Sequence, residues 1–265
     1  VPPLAQPALH AEITGRGPRL VLAHGFTQTG RLWGRFGEAL AARHQLVRVD
    51  LPGHGGSSAV RADLVTGGAM LAATGMGPGR PAGQDITAFD LLGYSLGARF
   101  SMHAAIARPD LVRRLVLIGA TAGIEEPSAR EQRRRHDDAL ADELERSGDL
   151  DGFLRRWLAT PMFADLRAPG LEERRRNTPS GLASSLRLAG TGTQRPLWDD
   201  LAHLEMPVLV VAGAADIRFV ALGARIVRAL PAGALSLVPG AGHAAHLQQP
   251  AVTASIVEQF LASSN

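Results

Sequence analysis

The sequence predicts an α/β fold, a mostly parallel central sheet flanked by helices, with one all-helical insertion. Three observations lead there. Short apolar runs alternate with helical patterns over most of the 265 residues. Several of those runs end in Gly-rich loops, as parallel strands feeding crossover helices do. Between about residues 125 and 201 the alternation stops and only helical patterns remain.

Taken in order, residues 20–23 (Leu-Val-Leu-Ala) form the first strand, and the amphipathic stretch 32–42 the helix after it. Residues 46–49 form the second strand. Residues 64–79, the longest uncharged segment, carry five glycines and read as a helix and a loop, and the Gly- and Pro-rich segment 69–84 is unusually long for a connection. Residues 89–93 and 115–119 are the third and fourth strands, separated by a helical pattern over 96–107. Runs 208–212 and 235–238 complete the strands expected to be buried, with helices over 219–230 and 251–261. The interruption holds two arginine-dense helical patterns, 128–146 and 171–177, together with Trp157 and Phe163. Residues 1–124 and 202–265 are therefore expected to form the core, and 125–201 a helical cap inserted after the strand ending near Gly119. An insertion between sheet strands is where a lid over an active site sits.

Composition removes several classes. The formal charge is only +3, from 28 basic and 25 acidic groups, yet the isoelectric point is about 10.6. The sequence contains no lysine, no cysteine and one tyrosine, so almost nothing titrates between histidine and guanidinium, and a small surplus of charge persists to high pH. The high value reports missing buffers, not a basic stripe, and argues against a nucleic-acid partner. Absence of cysteine excludes disulfides, thiolate catalysis and Cys-ligated metal. No His and carboxylate trio has ligand spacing, so no metal is expected. No run reaches the roughly 18 apolar residues of a membrane span, and the Pro-rich first 17 residues lack the apolar run of a signal peptide. A cytoplasmic protein, monomeric or weakly self-associating, is the expectation.

The chemistry is carried by Gly93-Tyr94-Ser95-Leu96-Gly97, a G-x-S-x-G pattern with a strand before it and a helix after it. A sharp strand-to-helix turn strains the serine backbone and demands small residues on both sides, which Gly93 and Gly97 supply. A serine hydroxyl needs a base, and the base an orienting carboxylate. His243 follows the last strand in a Gly-Ala-Gly turn, and Asp216 follows the strand before it, giving the order Ser, acid, His. Asp216 could instead cap the next helix. His246, Asp199 and Asp200 compete less well, because the glycine turn lies at His243 and no strand precedes the two aspartates. His54 reads as a loop residue and His103 as a packed or surface helix residue. An anion formed on a substrate would meet the backbone N–H of Leu96 and that of Phe26, which follows the first strand in His24-Gly25-Phe26.

His24-Gly25-Phe26, Asp50-Leu51-Pro52-Gly53-His54-Gly55 and Gly93-Tyr94-Ser95-Leu96-Gly97 together resemble the α/β-hydrolase superfamily over nearly the whole chain. Arg99 four residues past the serine, Asp216-Ile217-Arg218-Phe219, Gly242-His243-Ala244-Ala245-His246, Arg133 in its Gln-Arg-Arg-Arg-His-Asp run, Trp157 with Pro161-Met162-Phe163, and Arg176 narrow the likeness. They are similar to the 2-succinyl-6-hydroxy-2,4-cyclohexadiene-1-carboxylate (SHCHC) synthase family of menaquinone biosynthesis. Pro179 departs from the polar run that family carries there.

The resemblance implies a lyase that needs no cofactor and uses a Ser95-His243-Asp216 triad to eliminate pyruvate, with serine as general base. The substrate so implied is a small polycarboxylate anion. Arg99, Arg133 and Arg176 would clamp it with planar, permanently charged forks, and Tyr94, Trp157 and Phe163 would wall the pocket. Other activities open to this superfamily are a carboxylesterase or C–C bond hydrolase and, in a different class, a non-catalytic ligand-binding protein.

Overall fold

The computed structural model describes residues 9–77, 88–163, 166 and 170–263. Seven strands form one sheet: β1 (Ala11–Thr14), β2 (Arg19–Ala23), β3 (Gln45–Val49), β4 (Phe89–Tyr94), β5 (Val112–Ile118), β6 (Val208–Gly213) and β7 (Gly233–Val238). Their spatial order is β1-β3-β2-β4-β5-β6-β7, with every pair parallel except β1 against β3. All six predicted strands are present. β1 is the addition: its Ala-Glu-Ile-Thr sequence is too short and too polar to announce a strand, and it forms by antiparallel pairing to an edge. β7 differs from expectation in burial, because it is the opposite edge and leaves Leu237 exposed.

Alternation along the parallel strands explains the layers. Val21, Val47, Leu91, Leu115 and Val210 face one side and pack with Leu71 of α2 (Leu64–Met76), Phe100 of α3 (Leu96–Ala107) and Ile226 of α8 (Ile217–Ala229). Their neighbours Leu20, Leu22, Leu46, Leu92, Val116 and Leu209 face the other, with Phe36 of α1 (Gly34–Ala41) and Val257 of α10 (Pro250–Ala262). Each such side chain buried is worth roughly 1.5–3 kcal/mol. The Gly-rich segment flagged in the sequence forms α2 up to Met76, capped by Asp63, which accepts from the Thr66 N–H. Its continuation over 78–84 lies outside the described residues.

Among the described residues the chain between β5 and β6 contains no strand and contributes four helices: α4 (Pro127–Ser147), α5 (Leu150–Leu158), α6 (Leu171–Arg174) and α7 (Pro179–Ala189). Ala141, Leu144, Phe153, Leu182, Ala183 and Leu186 give this insertion its own apolar cluster, against which Phe26 of the core packs. The pattern over 128–146 becomes α4, begun by Pro127 and ended by Gly148 at φ 63°. The pattern over 171–177 shrinks to the single turn of α6. Arginine density marked neither α5 nor α7, whose starts are instead set by Asp149 and Thr178 accepting backbone N–H groups. Pro179 is the first residue of α7, where a missing N–H costs nothing. No helix among the described residues is long and apolar enough to cross a membrane.

Among the six histidines buried in the described residues are His24, His54, His103 and His246. Burial above all holds His54 and His246 down to about 3 and His103 down to about 4, and lowers His24 as well. In the unfolded chain they protonate near 6.5. Below that pH the unfolded state binds more protons than the folded one, so stability falls as pH falls from about 6.5 toward 3. Each histidine contributes at most about 1.4 kcal/mol per pH unit in that window. Thermal unfolding midpoints measured from about pH 7 to pH 5 should fall steadily, and a flat profile would contradict neutral burial of these rings.

Candidate active site

The site is built where β4 ends. Ser95 sits between β4 and α3 at φ 52°, one of two non-glycine residues with positive φ among those described. Such a conformation costs on the order of 1–3 kcal/mol and persists only when its surroundings enforce it. Here the Ser95 N–H donates to Ile118 O at 2.9 Å. A Cβ at Gly97 would lie 1.9 Å from Ala23 O, and one at Gly93 2.4 Å from Gly97 O. Both glycines of the motif are therefore required by backbone approach.

The Ser95 Oγ lies 3.0 Å from His243 Nε2, and His243 Nδ1 lies 3.0 Å from Asp216 Oδ2. His243 is buried, in the turn after β7, while Asp216 is the residue before α8. The two readings of Asp216 coexist: Oδ2 faces the imidazole, and Oδ1 accepts the Phe219 N–H at 3.2 Å. Burial pushes its carboxyl up, but the bond to His243, the charge of that ring, the Phe219 N–H and Arg218 together outweigh it and hold the group below the usual range. The carboxylate thus stays ionised and able to orient a charged imidazole.

The Leu96 N–H heads α3 and has no partner within the helix. Phe26 lies in the loop after β2, and that loop is heavily tied. His24 Nε2 accepts from the Leu51 N–H and its Nδ1 lies 2.8 Å from Gly25 O, which fixes the tautomer as Nδ1–H. Asn177 Nδ2 donates to Thr27 O at 2.8 Å, and the Arg174 guanidinium bonds Thr27 Oγ1. His54 bonds Pro52 O and stacks edge-on against His24 and Phe26, a loop residue as expected.

A cavity opens above Ser95 and His243, lined also by Phe26, Leu96, Arg99, Arg133 and Trp157. The Arg99 guanidinium is buried and donates to Ala189 O at 2.7 Å. Burial, followed by the neighbouring charge of Arg133, lowers it to about 9, with Asp137 opposing. Arg133 is held by Asp137 at 2.9 Å. Two guanidinium groups thus line the cavity beside the serine while Asp137 pairs with Arg133 alone, an arrangement that an anion would relieve. Trp157 meets Phe26 edge-on at 5.1 Å and Phe163 at 6.1 Å, and Phe163 lies 6.2 Å from the His243 ring.

Three residues expected at the site do not line the cavity: the wall residues Tyr94 and Phe163 and the clamp residue Arg176. Tyr94 does not line the cavity; it is buried beneath it, 4.3 Å from the His246 ring and 5.5 Å from His243, because strand alternation sends it to the α1–α10 side of the sheet. Arg176 does not line the cavity either: it is half-exposed, 3.8 Å from Glu173. Two residues along a helical turn differ by about 200°, so the buried position falls to Arg174. The competitor His246 is enclosed by Trp33, Phe36 and Tyr94, away from the serine. Sequence reasoning missed Arg218 as a cavity residue, although its place two residues after the acid was a usable signal.

The pattern of the alpha/beta hydrolase family matches residues 20–256. The chain belongs to the alpha/beta hydrolase family. Within it, a Klebsiella pneumoniae protein named 2-succinyl-6-hydroxy-2,4-cyclohexadiene-1-carboxylate synthase is 32% identical over 250 residues, 93% of this chain and 94% of its own. A protein of the same name from Pectobacterium atrosepticum is 33% identical over 258 residues, 95% and 97% of the two chains. At that identity over nearly full length, this alpha/beta hydrolase falls in their family. Its fold is shared with MenH from S. aureus (TM-score 0.85, 24% identity, 95% and 97% covered) and with a thermophilic esterase from Thermogutta terrifontis solved with malate bound (0.75, 23%, 96% and 92%).

The double role of Asp216 can be separated in this hydrolase. Asp216→Asn keeps a good helix cap and should leave the unfolding midpoint nearly unchanged, whereas Asp216→Ala loses about 1 kcal/mol. Both should slow labelling of Ser95 by a serine-directed organophosphate by roughly a hundredfold or more. Equal stability loss in the two variants would refute the cap, and undiminished labelling would refute the orienting role.

Proposed function

We propose that the chain is a carbon–oxygen lyase of menaquinone biosynthesis, eliminating pyruvate from 2-succinyl-5-enolpyruvyl-6-hydroxy-3-cyclohexene-1-carboxylate to give SHCHC. The observation that supports this reading best is the Arg99–Arg133 pair over Ser95. A neutral ester gives the two guanidinium groups no charge to bind, whereas a substrate with three carboxylates does. The family names of the relatives point the same way.

In this reading His243, oriented by Asp216, takes the Ser95 proton, and the alkoxide removes the ring hydrogen α to the succinyl ketone. The C–H electron pair forms the new ring double bond and the existing double bond shifts by one position. The carbon–oxygen bond to the enolpyruvyl group breaks, and that group leaves as the enolate and ketonises to pyruvate. The negative charge that develops on the ketone oxygen is met by the N–H groups of Phe26 and Leu96. Trp157 with Phe163 behind it, both from the insertion between β5 and β6, and Phe26 give the ring an apolar enclosure. No external group is consumed and no cofactor enters the balance.

Pyruvate release from the intermediate, followed by coupled reduction, tests this. Ser95→Ala should lower kcat by roughly 10²–10⁴. Arg99→Gln should lower kcat/KM by roughly tenfold or more, the loss of a charged hydrogen bond. If the unaltered protein releases no more pyruvate than the spontaneous reaction, the reading fails. A Ser95-linked acyl ester formed rapidly from a simple ester would favour the hydrolase instead.

A further inference from the structure

The cavity above Ser95 has a neighbour, and the two share Met162, Arg218 and Phe219. The second cavity lies behind the triad, since Asp216, Gly242 and Gln248 line it. Its far wall is fixed, with Gln248 Oε1 accepting the Gly242 N–H at 2.9 Å in the turn that carries His243. Arg218 stands at the seam. It is exposed, lies 5.9 Å from the Phe219 ring and forms no ion pair among the described residues. The other two cavity arginines are placed differently, on α3 and α4, where Ala189 O and Asp137 hold them.

The chemistry asks for two such places. On the lyase reading, on which this inference rests, one anion enters and two leave: a ring dicarboxylate and pyruvate. The Arg99–Arg133 pair can hold one of them. An anion moving into the second cavity meets the Asp216 carboxylate, which repels it unless a cation stands nearby. Arg218 is the cation both cavities share. We propose that Arg218 forms a second anion subsite, holding the carboxylate of the departing pyruvate where the cavity above Ser95 opens into its neighbour. Its fork suits one carboxylate in bidentate contact, and its exposure lets that ion pass to solvent.

Pyruvate binding to the full-length protein, measured by titration calorimetry without substrate, tests the subsite directly. Arg218→Gln should weaken pyruvate binding roughly tenfold or more, and Arg99→Gln by less than about threefold. In turnover, pyruvate should inhibit the unaltered protein and inhibit Arg218→Gln correspondingly less. The subsite is overturned if Arg218→Gln binds pyruvate as the unaltered protein does, if Arg99→Gln is weakened equally, or if the unaltered protein binds none. Arg218-dependent binding in a protein that releases no pyruvate from the intermediate would support the subsite while refuting the lyase reading. Arg218 is exposed and its replacement leaves the core untouched, so unfolding of the variant does not confuse the result.

Discussion

The site depends on one contact, the approach of the first turn of α3 to the end of β2. A single methyl group at Gly97 would stand 1.9 Å from Ala23 O and 2.6 Å from His24 O. Without that approach α3 could not start where it does, Ser95 could not be held at φ 52°, and its amide could not reach Ile118 O. The same contact draws the loop carrying Phe26 toward the serine, so one steric condition sets the hydroxyl and both candidate oxyanion donors. Gly25 repeats the logic one layer down, where a Cβ would meet the Tyr94 ring at 2.5 Å.

From that contact the constraint spreads outward through polar ties. Asp50 accepts the N–H groups of Gly30 and Gly56 at 2.6 and 2.8 Å, His24 joins the loops after β2 and β3, and Arg174 with Asn177 fastens the insertion to Thr27. The helical insertion is thereby bonded directly to the loop that carries Phe26, a residue lining the cavity. A cap held in this way acts on the geometry of the chemistry as well as covering it.

Most of the candidate site was legible in the sequence because it lies on the core, where strands, glycines and order along the chain leave little freedom. Ser95, His243 and Asp216 each follow a strand, and parallel strands bring those ends to one edge. What failed to show belongs to short helical turns. Arg174, Arg175 and Arg176 are identical in type, and only the phase of a four-residue helix chooses the buried one. Tyr94 was misjudged for a related reason: adjacency to Ser95 in sequence places it on the opposite face of the sheet. β1 was invisible because its pairing to β3, not its own composition, makes it a strand.

The absence of lysine, which first looked like a curiosity of the isoelectric point, has a physical counterpart in the site. Burial lowers the Arg99 guanidinium to about 9 and that of Arg174 to about 10, so both remain charged near neutrality. A lysine begins lower, near 10.4, so the same burial would bring it closer to losing its charge. Arginine alone keeps a dependable positive charge in so enclosed a place. Many of the 28 arginines pair with acids among the described residues, as Arg134, Arg135, Arg156, Arg175 and Arg225 do on the surface. The net charge is therefore silent about the ligand, whereas a buried guanidinium beside another in the cavity over Ser95 is what the proposed anionic substrate would meet.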